Sequence, residues 1–174
     1  MLNHLSDYQL LYLDIETVSA YPNYFDMPER IRQLWDKKAK NLNYKGDQKP
    51  MELFKRSGIY AEFGKIVCIS VGYVVKGSQR LRIKSYYSDD EARLLFEFAE
   101  LLNQHFNSPK HLMVAHNGKE FDFPYIARRL LVNGLELPSL LDIAGKKPWE
   151  IRHIDTLELW KFGDYKHFTS LDLL

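Results

Sequence analysis

A mixed α/β sheet flanked by helices, antiparallel over its first three strands and parallel after them, is the fold class this sequence predicts. Three observations predict it: an apolar run at Leu10–Leu13, two strand-like runs joined by a short polar turn, and apolar strands that then alternate with amphipathic helices. Size and composition permit it. With 174 residues, 45% hydrophobic and 14% aromatic, the chain can bury one good core and is too short for two ordinary domains. Residues 1–174 are therefore expected to form a single domain.

The elements follow in order. Leu10-Leu11-Tyr12-Leu13 reads as a buried first strand, and it runs directly into Asp14-Ile15-Glu16-Thr17. Residues 18–63 depart from a simple alternation and are expected to be a helical insertion. Pro28 can open a helix in which Ile31, Leu34, Trp35, Lys38 and Leu42 fall near helical spacing, and Gly46 is a stop. Residues 28–63 hold nine Lys or Arg against five Asp or Glu. Such an excess fits either a solvated helical face or a flap beside a nucleic-acid strand. Ile66–Val75 and Leu81–Tyr87 then read as a hairpin around the polar turn Lys76-Gly77-Ser78-Gln79.

Ser88 precedes Glu91 by three residues, the spacing of a capping box, and Leu94, Leu95, Phe98, Leu101 and Leu102 make one apolar helical face. His111–Ala115 is a short buried strand. Pro124 starts a further helix that Gly134 ends, and a fifth strand is expected near Ile151–Leu157. Trp149 and Trp160 read as packing residues. Ser170–Leu174 reads as the start of a further helix.

Bulk properties narrow the function classes. No stretch reaches the roughly 18 apolar residues of a membrane span, and no basic-then-apolar N-terminus suggests a signal peptide. Cys68 is the only cysteine, which excludes an internal disulfide and a cysteine-rich zinc site and fits a reducing cytoplasm. A net charge of +1 is low for a protein that holds nucleic acid by electrostatics alone. If phosphate is the substrate, bound cations must supply part of the attraction.

The chemistry concentrates in two acidic fragments about a hundred residues apart. Successive strand side chains point to opposite faces, so Asp14 and Glu16 share one face while Ile15 takes the other. Two carboxylates at the end of an apolar strand repel each other and are poorly solvated; a divalent cation is one partner that relieves both costs. Asn117-Gly118-Lys119-Glu120-Phe121-Asp122 forms the turn that leaves the fourth strand, and loops at the carboxyl ends of parallel strands are where α/β proteins usually place sites. Each residue also has a structural role open to it. Asp122 can cap the helix that Pro124 opens, Asn117 before Gly118 suits a turn, Phe121 suits the core, and His116 reads as a satisfied turn histidine. Asp155 also lies near the site side of the sheet and reads either as structural or as a support behind the site residues.

Asp-Ile-Glu-Thr after an apolar strand, followed by His-Asn-Gly-Lys-Glu-Phe-Asp-Phe-Pro-Tyr-Ile before a helix, resembles the ribonuclease H-like exonucleases of the DEDD (DnaQ-like) superfamily, closest to the proofreading exonuclease domains of B-family DNA polymerases. The likeness covers nearly the whole chain. It implies a two-metal phosphodiesterase that removes nucleotides from a 3′ end, single-stranded DNA being the expected substrate, with two Mg²⁺ or Mn²⁺ ions held by oxygen ligands. Asp14 would bridge both ions, Glu16 would bind the ion that activates water, and Asp122 would hold the second. The backbone around Ile15 and Thr17, together with Asn117 and Phe121, would face the terminal nucleotide. A ribonuclease trimming short RNA and a non-catalytic nucleic-acid-binding module share the fold and remain alternatives.

One departure from the family stands out. The family carries a fourth carboxylate on a late helix, preceded by Tyr (Y-x-x-x-D) or His (H-x-x-x-x-D), and no Y-x-x-x-D follows Asp122. His167 and Asp172 satisfy the second spacing, but Asp155-Thr156-Leu157 and Ser170-Leu171-Asp172 match an earlier part of the family pattern. The domain is therefore expected to lack its C-terminal helices and the fourth ligand, with impaired activity.

Overall fold

The computed structural model describes residues 5–43, 46, 48–78, 80–164, 166 and 168–174. Five strands form one sheet, β1 (Leu10–Ser19), β2 (Gly64–Val74), β3 (Leu81–Tyr87), β4 (Leu112–Ala115) and β5 (Ile154–Asp155), in the order β3-β2-β1-β4-β5. β1 pairs with β2 and β2 with β3 antiparallel, whereas β4 runs parallel to both β1 and β5. This is the mixed sheet that the sequence predicts. Helices α1 (Glu29–Leu42) and α2 (Pro50–Leu53) lie between β1 and β2, α3 (Glu91–His105) joins β3 to β4, and α4 (Asp122–Val132) follows β4. The short α5 (Thr156–Lys161) comes directly after β5. Among the described residues no helix is long and apolar enough to cross a membrane.

β1 continues six residues beyond the apolar run. In its second half β2 is the strand that pairs with it, because pairing with β4 ends at Tyr12 opposite Val114 while pairing with β2 reaches Ser19 opposite Gly64. Asp14 and Glu16 therefore lie inside the strand, at the place where β4 has left its side. The segment between β1 and β2 accordingly starts at residue 20, not 18. Opposite Glu16 and Thr17 the register of β2 slips from Cys68 to Ile66, which leaves Val67 as the extra residue of a bulge. The slip lets Ile66 as well as Ile69 turn into the core.

The core lies between one face of the sheet and α3 and α4. Leu11, Leu13 and Ile15 of β1 meet Leu94, Leu95, Phe98 and Leu102 of α3 and Phe123, Ile126 and Leu130 of α4. Each fully buried side chain of this size contributes about 1.5–3 kcal/mol. A second cluster belongs to the segment between β1 and β2, with Trp35 at its centre among Met27, Leu53, Phe54 and Phe63. The Trp35 indole N–H donates to Pro50 O at 2.8 Å, which ties α1 to α2.

Several local expectations are corrected. Ser88 and Glu91 do not form a capping box: Asp90 caps α3, its carboxylate accepting from Arg93 N–H at 3.3 Å, and Glu91 turns inward. The fifth strand has two residues and Leu157 already lies in α5, because the Asp155 carboxylate accepts from Leu157 N–H at 3.0 Å and starts the helix. α4 begins at Asp122, two residues ahead of Pro124. Trp149 and Trp160 are exposed, 75% and 51%, so neither is a packing residue. In the turn after β2, Gln79 lies outside the described residues.

Candidate active site

Asp14 and Glu16 are both solvent-exposed on the face opposite the core, as the two-residue strand period requires. Asp122 reaches the same neighbourhood from α4 and is buried, with 3% of its surface accessible. Its carboxyl is pushed up to about 7, by burial first, then by the Asp14 carboxylate and more weakly by Asp155. Its own backbone N–H and that of Ile15 pull the other way without cancelling the effect. The Ile15 side chain is in the core, so this residue serves the site through its backbone.

The turn that delivers Asp122 is held by Asp155. Its carboxylate accepts from Asn117 N–H at 2.9 Å and from Lys119 N–H at 3.1 Å, in addition to Leu157 N–H. Asn117 sits in the left-handed region at φ 62°, which asparagine tolerates better than most residues. At Gly118 a Cβ would clash with the Ala115 side chain and the Phe123 ring, so only glycine lets the turn lie this close to the sheet. Lys119 Nζ meets Glu158 Oε2 at 2.7 Å. Asp155 is thus structural, holding the Asn117–Lys119 turn and the start of α5.

Phe121 is half-buried, packed against the main core with its ring 5.3 Å from that of Tyr125. His116 is satisfied on both nitrogens, Nδ1 at 2.9 Å from Thr156 Oγ1 and Nε2 at 2.7 Å from Thr169 O, as a turn histidine should be. Asp172 is exposed on a terminal 3₁₀ turn, Leu171–Leu173, and His167 lies outside the described residues.

Two features escape the sequence reading. Tyr125 is buried one turn after Asp122; its hydroxyl donates to Gly58 O at 2.6 Å and also reaches Thr17. At Gly64 a Cβ would clash with that hydroxyl and with Gly58 O. The i,i+3 spacing from Asp122 to Tyr125 is the signal that could have found it. The other feature is a buried ion pair: Glu91 accepts from Arg129 Nε at 2.8 Å and also from Arg129 Nη2, and takes Ile66 N–H at 2.8 Å. Arg129 Nη1 donates to Ala61 O at 2.8 Å, so α3, α4, β2 and the segment before β2 meet at one point.

The donor set is oxygen only and carries an excess of negative charge, which suits a hard divalent cation such as Mg²⁺ or Mn²⁺. Among the described residues no group of three or more His, Cys, Asp or Glu side chains is gathered closely enough to hold an ion. Asp14 and Asp122 are the electrostatically coupled pair, with Glu16 one step along the same strand face.

Asp14 and Glu16, placed where β1 parts from β4, and Asp122 thus stand on a mixed five-stranded α/β sheet flanked by helices. The chain belongs to the family described as predicted 3′-5′ exonucleases related to the exonuclease domain of PolB, whose model matches residues 59–173. That stretch includes Asn117, Phe121 and Asp122 and begins after Asp14 and Glu16. Among solved structures, it is similar to the family B DNA polymerase of the hyperthermophilic archaeon Pyrobaculum calidifontis, with 17% identity, a TM-score of 0.39, and coverage of 76% of this chain and 12% of that one. It is also similar to E. coli exonuclease I in complex with a dT13 oligonucleotide, with 11% identity, a TM-score of 0.45, and coverage of 87% of this chain and 28% of that one. The chain thus spans less than a third of the length of either protein. A comparison with curated proteins finds no match.

Proposed function

We propose that this chain is a metal-dependent 3′-5′ exonuclease domain acting in the cytoplasm on the 3′ end of single-stranded DNA, with Asp14, Glu16 and Asp122 as the ligands of Mg²⁺ or Mn²⁺. One observation carries the reading: Asp122 is buried, and burial together with the Asp14 carboxylate pushes its carboxyl up to about 7. A bound divalent ion supplies a positive charge, polarises the scissile phosphate and lowers the pKa of a coordinated water.

The chain's own residues do the rest. Ile15 N–H orients the Asp122 carboxylate, and Asp155 holds the Asn117–Lys119 turn from behind. Asn117 and Phe121 border the terminal nucleotide, while Thr17, bound to the Tyr125 hydroxyl, keeps β1 against α4. Above about pH 7 Asp122 is ionised and able to hold the cation; below it the proton competes. A second reading, a nucleic-acid-binding module without turnover, is favoured by the fact that no three ligand side chains are gathered among the described residues. The same fact supports slow turnover.

The deciding assay uses 3′-labelled single-stranded DNA with Mg²⁺ or Mn²⁺, with an RNA oligonucleotide in parallel. Nucleotide release is expected to stop with EDTA and to fall by about 100-fold or more in Asp14→Ala. Release unchanged by Asp14→Ala overturns the assignment. Binding of DNA without release under either metal replaces it with the binding-module reading.

A further inference from the structure

We infer that β3 is an interface between two copies of this chain, which pair antiparallel about Ser85 and join their sheets into one. The inference stands apart from the nuclease reading.

Among the described residues β3 has β2 on one side and no strand on the other. Val75 N–H donates to Arg80 O at 3.0 Å, and the register runs from Val74 opposite Leu81 to Cys68 opposite Tyr87. Arg80, Arg82, Lys84 and Tyr86 therefore turn their N–H and C=O groups to β2, and Leu81, Ile83, Ser85 and Tyr87 turn theirs to the free edge. A free edge of seven residues is a template for another strand. The edge is also apolar where it meets water. Leu81, Ile83 and Tyr87 are 59%, 71% and 79% exposed, on the face of the sheet where Asp14, Ser70 and Ser85 stand in one row.

The charges along the strand select the partner. Arg80, Arg82 and Lys84 occupy its first half, Asp89 and Asp90 follow its end, and all five are exposed. An antiparallel copy centred on Ser85 sets Ile83 opposite the partner's Tyr87 and Lys84 opposite the partner's Tyr86, and draws the basic start of each strand to the acidic end of the other. Lys84 Nζ already lies 4.1 Å from the ring of its own Tyr86, so this cation is at home between two tyrosines. Centring the pair on Lys84 sets that ammonium against its own copy, and centring it on Ile83 sets it against Arg82; both registers are repulsive. The two-fold axis then stands perpendicular to the joined sheet, and both Asp14 faces point the same way. The partner's Tyr87 comes beside Ile83, on the wall of a depression of about 630 Å³ that also holds Asp14.

The test is sedimentation velocity on the full chain and two charge-reversed variants, Arg82→Glu and Asp89→Arg. Wild type is expected to be a dimer at about 100 µM that dissociates on dilution, as suits a small interface. Each variant alone puts like charges at both ends of the contact and should dimerise about tenfold or more weakly. Mixed in equal amounts, the two variants restore opposite charges at both ends, and the dimer should return. Mild oxidation in a Cys68→Ser background checks the register: Ser85→Cys should crosslink two copies, whereas in Ile83→Cys the thiols stand about 14 Å apart and should not. A wild-type chain that stays monomeric at about 1 mM overturns the interface, as does a dimer that survives in both single variants. Crosslinking as efficient at Ile83→Cys as at Ser85→Cys overturns the register.

Discussion

Glu91 and Asp122 make an instructive pair. Each is the first residue of a helix, and each is buried, 8% and 3% exposed, yet burial has opposite outcomes. At Glu91 burial raises the carboxyl, but Arg129, Ile66 N–H and Asn133 outweigh it and hold the group below its ordinary 4.5. At Asp122 the neighbours are two further carboxylates, and the group rises to about 7. What separates a structural junction from a candidate site is therefore the counter-charge and not burial or helix position.

The strongest way to break the comparison is to make Glu91 resemble Asp122. Arg129→Met leaves Glu91 buried without its cation and is expected to cost about 3–5 kcal/mol in urea unfolding, with most of it recovered in Glu91→Gln/Arg129→Met. A single mutant as stable as wild type would show that the pair contributes only packing.

The converse change removes the unpaired charge. Asp122→Asn in metal-free protein is expected to raise stability at pH 8 by on the order of 2–4 kcal/mol and to change it little at pH 4. The sign follows from the raised folded pKa. Between 3.8 and about 7 folded Asp122 keeps its proton while the unfolded chain releases it, so stability falls as pH rises through that window. Glu91 has the reverse sign: its lowered folded pKa gives stability that is present above 4.5 and lost as pH falls. Urea midpoints for Asp122→Asn and Glu91→Gln across pH 4–8 should therefore diverge in opposite directions.

The gentlest perturbation is the cation itself. Mn²⁺ at about a hundredfold over its dissociation constant should stabilise wild type by about 2.7 kcal/mol, and Asp122→Asn should lose most of that gain. Affinity should rise about tenfold between pH 6 and pH 8 as the Asp122 proton leaves. A thermal shift that survives Asp122→Asn would place the ion elsewhere.

Much of this was legible in the chain. The order of strands, the hairpin between β2 and β3, the inward face of α3 and the pairing of Asp14 with Glu16 all follow from periods of two and 3.6 residues, which the nearest neighbours enforce. The errors have one character. Ser88 and Glu91 have capping-box spacing, but Arg129, 38 residues away, claims Glu91. Trp149 and Trp160 read as packing residues by type, yet both stay exposed. β5 was shortened because the Asp155 side chain is committed to the turn at Asn117 and Lys119 and to the start of α5.

The sequence by itself determined the residue types of the site and the strand and helix that present them, because those depend on spacing along one element. Only the tertiary structure decided that Asp122 is buried within reach of the Asp14 and Asp155 carboxylates and that Glu91 is buried against the Arg129 guanidinium. Desolvation and counter-charge are properties of the groups that long-range folding brings together, and a carboxylate's own neighbours in the chain do not specify them.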